Sequence, residues 1–328
     1  MLVKSVKGFG SLGVKVSNIS YPFKQGEISE LKKLLQEQLL LVLPKCHYTI
    51  DQFYELSARL GVICTYGQKA GVSLKEQEKA YCYLDKDGGP LYPGLVRVTA
   101  KKNSESNYTG IAPGYNKRLN WHNDEAERDP IVTVDKFRSM KGKWTYERPM
   151  PEIIGFQAIE GTKGSMTQVC QMVDRFQEES DENKNRLRKI TVHWGLVKGK
   201  EGIYQTNDNV SILPEDMYSK KLALVTKAIN NIEGLHFSPS QTIDIVDSLH
   251  KKLSTVRKKE FAELKRYIMK EYVKTKYIYS HTWKDGDILY IDQKTSIHRR
   301  VGVVKDYLSV AELRNRLLHH ISIHIKKV

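Results

Sequence analysis

Apolar positions along the chain switch between two periods. Between Gly26 and Leu39 they fall at Ile28, Leu31, Leu35 and Leu39, a stripe of 3.6-residue spacing that predicts an amphipathic helix. A short apolar run, Leu40 to Leu43, follows and is closed by Pro44, which reads as a buried strand. Thr49 followed by Gln52 is a capping-box signature, and it predicts a second helix from Ile50 to Arg59, ended by Gly61. Val14 to Ile19, Ile153 to Ile159, Ile190 to Trp194, Lys274 to Trp283, Asp287 to Asp292 and Leu317 to Ile325 read as strands. The turn Lys284-Asp285-Gly286 separates two of them. Gly161 to Thr167 reads as a turn, with Gln168 to Gln171 leading into a helix that reaches about Arg188. Pro214 to Ile232, Pro239 to Leu253 and Val256 to Tyr272 also read as helices, the last with Phe261, Leu264, Ile268 and Tyr272 on one stripe. Residues 84–118 are rich in Gly, Pro and Asn and read as loops and short strands. No repeat or low-complexity linker interrupts the pattern, so the expectation is a single domain over 1–328, mostly β with helical additions, α+β in class. Residues 239–272 form a helical insertion in this reading, and the polar excursion 125–150 is a candidate lid or a plain insertion.

Composition narrows the class. A chain of 328 residues with 40% hydrophobic and 9% aromatic content can bury a real core. No apolar window has bilayer length, and the N-terminus lacks the apolar core of a secretion signal, so a cytoplasmic location is expected. Cys46, Cys64, Cys82 and Cys170 are widely spaced, which argues against a zinc ribbon or disulfide framework and fits a reducing compartment. The formal charge of +15 permits contact with nucleic acid or an anionic substrate, yet no RNA-binding or helix-turn-helix signature accompanies it. Lys251 to Lys276 carries much of that excess and reads as a solvated helix face. Gly8 to Gly13 matches GxGxxG, but a strand-like run follows it where dinucleotide binding needs a helix.

The candidate chemistry lies in Leu119-Asn120-Trp121-His122-Asn123-Asp124. In an extended chain, His122 and Asp124 project from one face and can hold one metal ion together. His298, after the strand ending at Asp292, is a candidate third ligand. Two histidines and one carboxylate form the facial triad of non-heme Fe(II) oxygenases, although the same donors accept zinc. The pair alone is weak, because a surface loop with a satisfied histidine carries the same letters.

Taken in order, these pieces resemble the taurine dioxygenase-like family of Fe(II)/2-oxoglutarate dioxygenases. The resemblance runs through Trp121-His122-Asn123-Asp124, Gly164-Ser165-Met166-Thr167, Trp283 to Asp287 and on to Asp292, Thr295-Ser296-Ile297-His298, and Arg316-Leu317-Leu318-His319-His320-Ile321. It implies a double-stranded β-helix (jelly-roll) core of the clavaminate synthase-like type. It implies His122, Asp124 and His298 as iron ligands, Arg316 as the arginine for the distal carboxylate of 2-oxoglutarate, and Thr167 as a second co-substrate contact. Fe(II), 2-oxoglutarate and O2 are the implied cofactors. Strand parity does not choose between Arg316 and Arg314; the family spacing prefers Arg316. The implied reaction hydroxylates an aliphatic C–H, with succinate and CO2 as products.

Two departures from the taurine pattern bear on substrate. The second arginine, four residues after the co-substrate arginine, is here His320, and the asparagine four residues before the first ligand histidine is here Arg118. Taurine is therefore not the expected substrate, and Arg118 and His320 are candidate substrate contacts. The expected partner is a small amino acid, amine or organic acid. The alternatives are an oxygenase acting on a nucleic acid or protein, and a non-catalytic metal-binding jelly roll with a basic surface. His193, His236, His250, His281, His319 and His324 read as structural or surface histidines, and Trp121 and Trp283 as packing residues.

Overall fold

The computed structural model describes residues 1–64, 82–99, 120–124, 137–138, 145–146, 151–162, 164–194, 197–198, 204–206, 209–210, 220–239, 242–246, 255–301 and 316–325. Its centre is an eight-stranded sheet. Leu2–Ser5, Val14–Ser17, Leu40–Leu43, Ile288–Asp292, Ile153–Glu160, Leu317–His324 and Val62–Cys64 follow one another across it, and Leu95–Thr99 also pairs with Leu317–His324. Every pairing is antiparallel except that of Val14–Ser17 with Leu40–Leu43. Facing it is a smaller sheet, with Met166–Gln171 between Ile278–Thr282 and Ser296–Val301.

The two faces of the large sheet bury different things. Leu40, Val42, Ile154, Phe156, Ala158, Leu289, Ile291 and Leu318 share a core with Val169 and Trp283 of the small-sheet side. This is the interior between the sheets. The opposite face presents Leu41, Leu43, Ile153, Ile288, Tyr290, Ile321 and Ile323 to the helices Gln25–Gln38 and Ile50–Leu60. The stripe Ile28, Leu31, Leu35 packs there as its spacing predicts. The second helix starts on the predicted capping box: Gln52 N donates to Thr49 Oγ1 at 3.2 Å, and Thr49 N donates to Gln52 Oε1 at 3.0 Å. Gly155 sits on this face between Tyr290 and Ile321 in register. A Cβ there would lie 2.6 Å from the Tyr290 ring, so the close stacking of these three strands requires glycine.

The outer side of the small sheet is covered by the helix Thr255–Glu271, whose Leu264 and Ile268, followed by Tyr272, pack with Cys170, Ile297 and Trp121. Two expected helices are not formed. Within 214–232, Lys220–Ala223 and Val225–Lys227 are strands; within 239–253, Thr242–Val246 is a strand. The expected helical insertion 239–272 is therefore part strand and part helix. Thr191–Trp194 pairs with both Lys220–Ala223 and Thr242–Val246, and those ladders outweigh local periodicity. Gly161 to Thr167 is also shorter as a turn than expected, since the strand begins at Met166, and the helix after it is two pieces, Val173–Gln177 and Asp181–Arg188.

Two buried histidines tie this fold to pH. Gln157 Nε2 donates to Tyr48 O at 2.6 Å, which leaves Gln157 Oε1 as the acceptor for His319 Nδ1–H at 3.0 Å. His319 Nε2 then accepts from the Tyr83 hydroxyl at 2.8 Å. Burial, and then the Arg97 charge, push His319 down to about 4, and burial with the Lys294 charge does the same to His236. The unfolded chain takes up these protons below about pH 6.5, the folded chain only below about 4. Stability from both is full above pH 6.5 and falls as pH drops toward 4, by up to roughly 3 kcal/mol per histidine. Urea unfolding at pH 7.5 and 4.5 is expected to show that loss, and His319→Gln to reduce it. Equal stability at the two pH values would contradict this account.

Candidate metal and co-substrate site

The expected pair His122 and Asp124 reaches the interior because its segment docks on the edge of the small sheet. His122 N donates to His298 O at 3.0 Å, and His298 N donates to His122 O at 2.9 Å. The two residues thus form a hydrogen-bonded antiparallel pair, which puts their side chains on one face. The ring centroids are 4.3 Å apart. Asp124, two residues on, shares that face, while Asn123 points away and fixes the segment. Its Nδ2 donates to Gln293 O and to Ser296 O, both at 2.7 Å, so it clamps the turn that precedes His298. Asp292 braces the same turn from within, accepting from Thr295 N at 2.7 Å and Thr295 Oγ1 at 2.8 Å. Asn123 carries no sequence signal beyond its place between the two candidate ligands.

One ligand atom each from His122, Asp124 and His298 lies within 4.8 Å of the others. His122 Nε2 is 3.6 Å from Asp124 Oδ1, and His298 Nε2 is 3.4 Å from Asp124 Oδ2. The His122 tautomer is set locally: Nδ1 lies 2.7 Å from the carbonyl of Asn120, which can only accept, so Nδ1 carries the proton. In the neutral ring, Nε2 is then a lone pair aimed at a carboxylate oxygen. Two acceptors facing each other repel, and a cation between them removes that repulsion; a second-shell carbonyl on the other ring nitrogen is the usual support of a ligating histidine. Desolvation alone would raise the Asp124 carboxyl, but His298 and then His320 hold it well below the usual carboxylate range. The donor set, two imidazoles and a carboxylate, fits Fe(II).

The residues expected to meet the co-substrate lie in the same part of the fold. Thr167 is paired across the small sheet with Arg300, and Val169 with His298, so Thr167, Val169, His298 and Arg300 share the interior face. Trp283 Nε1 donates to Thr167 Oγ1 at 2.8 Å, which leaves the threonine hydroxyl proton available to an incoming acceptor. Trp283 is buried as expected, and it also holds Thr167 in place. Arg316, at the start of the strand Leu317–His324, is 7% exposed, and its Nε has no hydrogen-bond partner among the described residues. Burial, and then the neighbouring Arg300 charge, push its guanidinium down to about 9. The buried Arg316 guanidinium beside a second cation suits an anion, which would offset its desolvation and the repulsion between the two charges. Arg300 was not among the residues expected here; its signal was its parity with His298, two positions on in a strand.

His320 also reaches the centre, with Nε2 3.3 Å from Asp124 Oδ2 and its ring 5.0 Å from that of Phe156. Arg118 and Arg314 lie outside the described residues. So does the excursion 125–150, apart from the backbone of Phe137–Arg138 and Thr145–Tyr146, which pair antiparallel. Among the described residues no helix is long and apolar enough to cross a membrane.

Comparison with known proteins places this geometry. The profile of the family described as "Taurine catabolism dioxygenase TauD, TfdA family" matches residues 3–318. A search of curated proteins gave no match. Among solved structures, AAD-2 in complex with Mn(II) and N-oxalylglycine superposes with a TM-score of 0.62 at 15% identity, covering 99% of this chain and 98% of its own. A taurine dioxygenase from Burkholderia xenovorans gives a TM-score of 0.63 at 12% identity, covering 98% of this chain and 88% of its own. A putative alpha-ketoglutarate dependent 2,4-D dioxygenase from the same organism gives 0.59 at 13% identity, with coverages of 98% and 96%. These likenesses show the jelly-roll fold. With the family profile spanning nearly the whole sequence, the chain belongs to the TauD/TfdA family of Fe(II)/2-oxoglutarate-dependent dioxygenases.

Proposed function

We propose that this dioxygenase hydroxylates an aliphatic C–H of a small molecule, an amino acid, amine or organic acid, at a centre held by His122, Asp124 and His298. The observation that carries the reading is the clustering of those three donors beside a strand face that Thr167 shares with His298 and Arg300, the latter neighbouring the buried Arg316. When bound, Fe(II) and 2-oxoglutarate supply the activation of O2. One oxygen atom passes to the substrate and one to the succinate that forms with loss of CO2. The chain's own part is positioning and exclusion of water. Asn120 O holds the His122 tautomer. Asn123 and Asp292 fix the turn that aims His298. Arg316, with the hydroxyl of Thr167, seats the distal carboxylate of 2-oxoglutarate, and Phe156 and Leu318 keep the space between the sheets dry. A small substrate is supported by the taurine and 2,4-D named for structural neighbours. Because His320 stands where taurine enzymes carry arginine, taurine itself is not proposed. Arg118 remains a proposed contact for an anionic substrate group.

The test is anaerobic. Fe(II) added with 2-oxoglutarate is expected to give a visible metal-to-ligand charge-transfer band in the wild type and none in His298→Ala. A wild type without the band would refute the assignment. A screen for compounds that stimulate succinate formation then names the substrate class. Stimulation only by nucleic acid or protein would favour the macromolecular alternative that the +15 charge motivates.

A further inference from the structure

His320 occupies a position that the reaction as described leaves without a task. It lies at the middle of the strand Leu317–His324, opposite Phe156 in the large sheet, and is 5% exposed. The chemistry sits against the facing sheet, yet His320 Nε2 comes within 3.3 Å of Asp124 Oδ2. The two oxygens of Asp124 are therefore approached from different sides: Oδ1 by His122 at 3.6 Å, Oδ2 by His298 at 3.4 Å and by His320. The large sheet reaches across the interior to touch a residue that hangs from the edge of the small one.

The number of donors gives this contact its meaning. A six-coordinate metal with three protein ligands has three positions left, two for a chelating co-substrate and one for O2. A carboxylate that turned to bind through both oxygens would take one of those positions, and so would a fourth protein ligand. A donor poised 3.3 Å from one carboxylate oxygen opposes the first outcome, since that oxygen would accept from it once the carboxylate binds a metal through the other. Arginine at this position in the taurine enzymes is a long, forked donor; histidine is shorter and has one donor to give. Its reach here ends at Asp124.

We propose that His320 is a positioning residue for the metal centre: its Nε2–H donates to Asp124 Oδ2, holds the carboxylate to ligation through a single oxygen, and keeps a metal position open for the co-substrate and O2. This rests on the Fe(II)/2-oxoglutarate reading of the same site. It turns His320 from a substrate contact into a residue that acts through Asp124. Support of this kind around a ligand is typically worth 10–100-fold in metal affinity or activity, by order of magnitude.

The experiment compares wild type, His320→Phe, His320→Gln and His122→Ala. Anaerobic Fe(II) titration of the apoprotein is expected to show affinity about 10–100-fold weaker in His320→Phe, with an unchanged apoprotein melting temperature. His320→Gln, whose amide N–H can stand in for Nε2–H, is expected to recover most of the loss. X-ray absorption of Fe(II)-loaded wild type is expected to count two imidazoles, and the same two in His320→Phe. Three imidazoles in wild type falling to two in His320→Phe would make His320 a fourth ligand and overturn the proposal. So would equal Fe(II) affinity in wild type and His320→Phe, or no recovery in His320→Gln. Should His320→Phe fail to fold, His320→Ala takes its place in the titration, with the same loss expected and the same equal affinity overturning the proposal. A wild type that binds Fe(II) no better than His122→Ala would remove the metal reading beneath the proposal, an outcome distinct from failure at His320 alone.

Discussion

Replacing Asp124 with alanine is expected to lower the rate of succinate formation from 2-oxoglutarate by at least about 10³-fold, roughly 4 kcal/mol at 1.36 kcal/mol per decade. The carboxylate is the one anionic donor in the cluster, and it faces all three nearby imidazoles. Without it, a divalent cation meets two neutral ligands and no compensating charge, while His298 and His320 lose the group toward which both Nε2 atoms point. Fe(II) affinity should fall together with the rate, and raising the Fe(II) concentration should restore little of it, since the remaining donors do not form a facial set. The measurement is succinate release at saturating 2-oxoglutarate with increasing Fe(II). A variant that keeps the rate within tenfold of wild type would show that Asp124 is not a ligand.

Arg316→Met should separate binding from stability in opposite directions. In the apoprotein, Arg316 is a buried cation beside a second one, and its Nε finds no acceptor among the described residues. Removing an unpaired buried charge and filling its volume with an apolar chain is expected to stabilise the fold by roughly 1–3 kcal/mol. The same change should raise the KM for 2-oxoglutarate by about 10²- to 10³-fold, because truncating one member of a buried charge pair costs about 2–5 kcal/mol of binding. Paired urea unfolding and steady-state kinetics test it. A destabilised variant would mean that the arginine serves the fold and is not held in readiness for an anion.

The parts of this site that were legible in the sequence are those governed by short-range geometry. His122 and Asp124 two apart in an extended segment give a shared face directly, and so does the alternation that sets Arg316, Leu318 and His320 on the interior side of their strand. His298 is different in kind: it meets His122 through a backbone pair closed across 176 positions, so its place after a strand made it only a candidate and the family resemblance was needed to single it out. Arg300 and Asn123 were missed for related reasons. An arginine doublet looks like surface charge until Thr167 is known to lie across from its second member, and an asparagine between two candidate ligands looks like filler until its amide is seen to clamp the 293–296 turn. In the fold, Leu40 to Leu43 and the capped helix after Thr49 were readable because their signals are local. Thr242–Val246 was misread as helix because its form is imposed by pairing with Thr191–Trp194, a tertiary effect that apolar spacing does not record.

The order of strands in the large sheet sets when the enzyme can come into being. Ile153–Glu160 is flanked on one side by Ile288–Asp292 and on the other by Leu317–His324. The middle of the sheet is therefore completed by segments that lie far downstream in the chain. Until they arrive, the strands from the first half of the chain are separated by an unfilled centre, and His122 has no edge to dock on. Such nonlocal closure is slow. The metal site should consequently assemble only once those later segments have been made, and the interval before closure is when the unpaired edge of Ile153–Glu160 is exposed to other chains. Coexpressed chaperones, more than iron supplementation, should govern the yield of soluble protein.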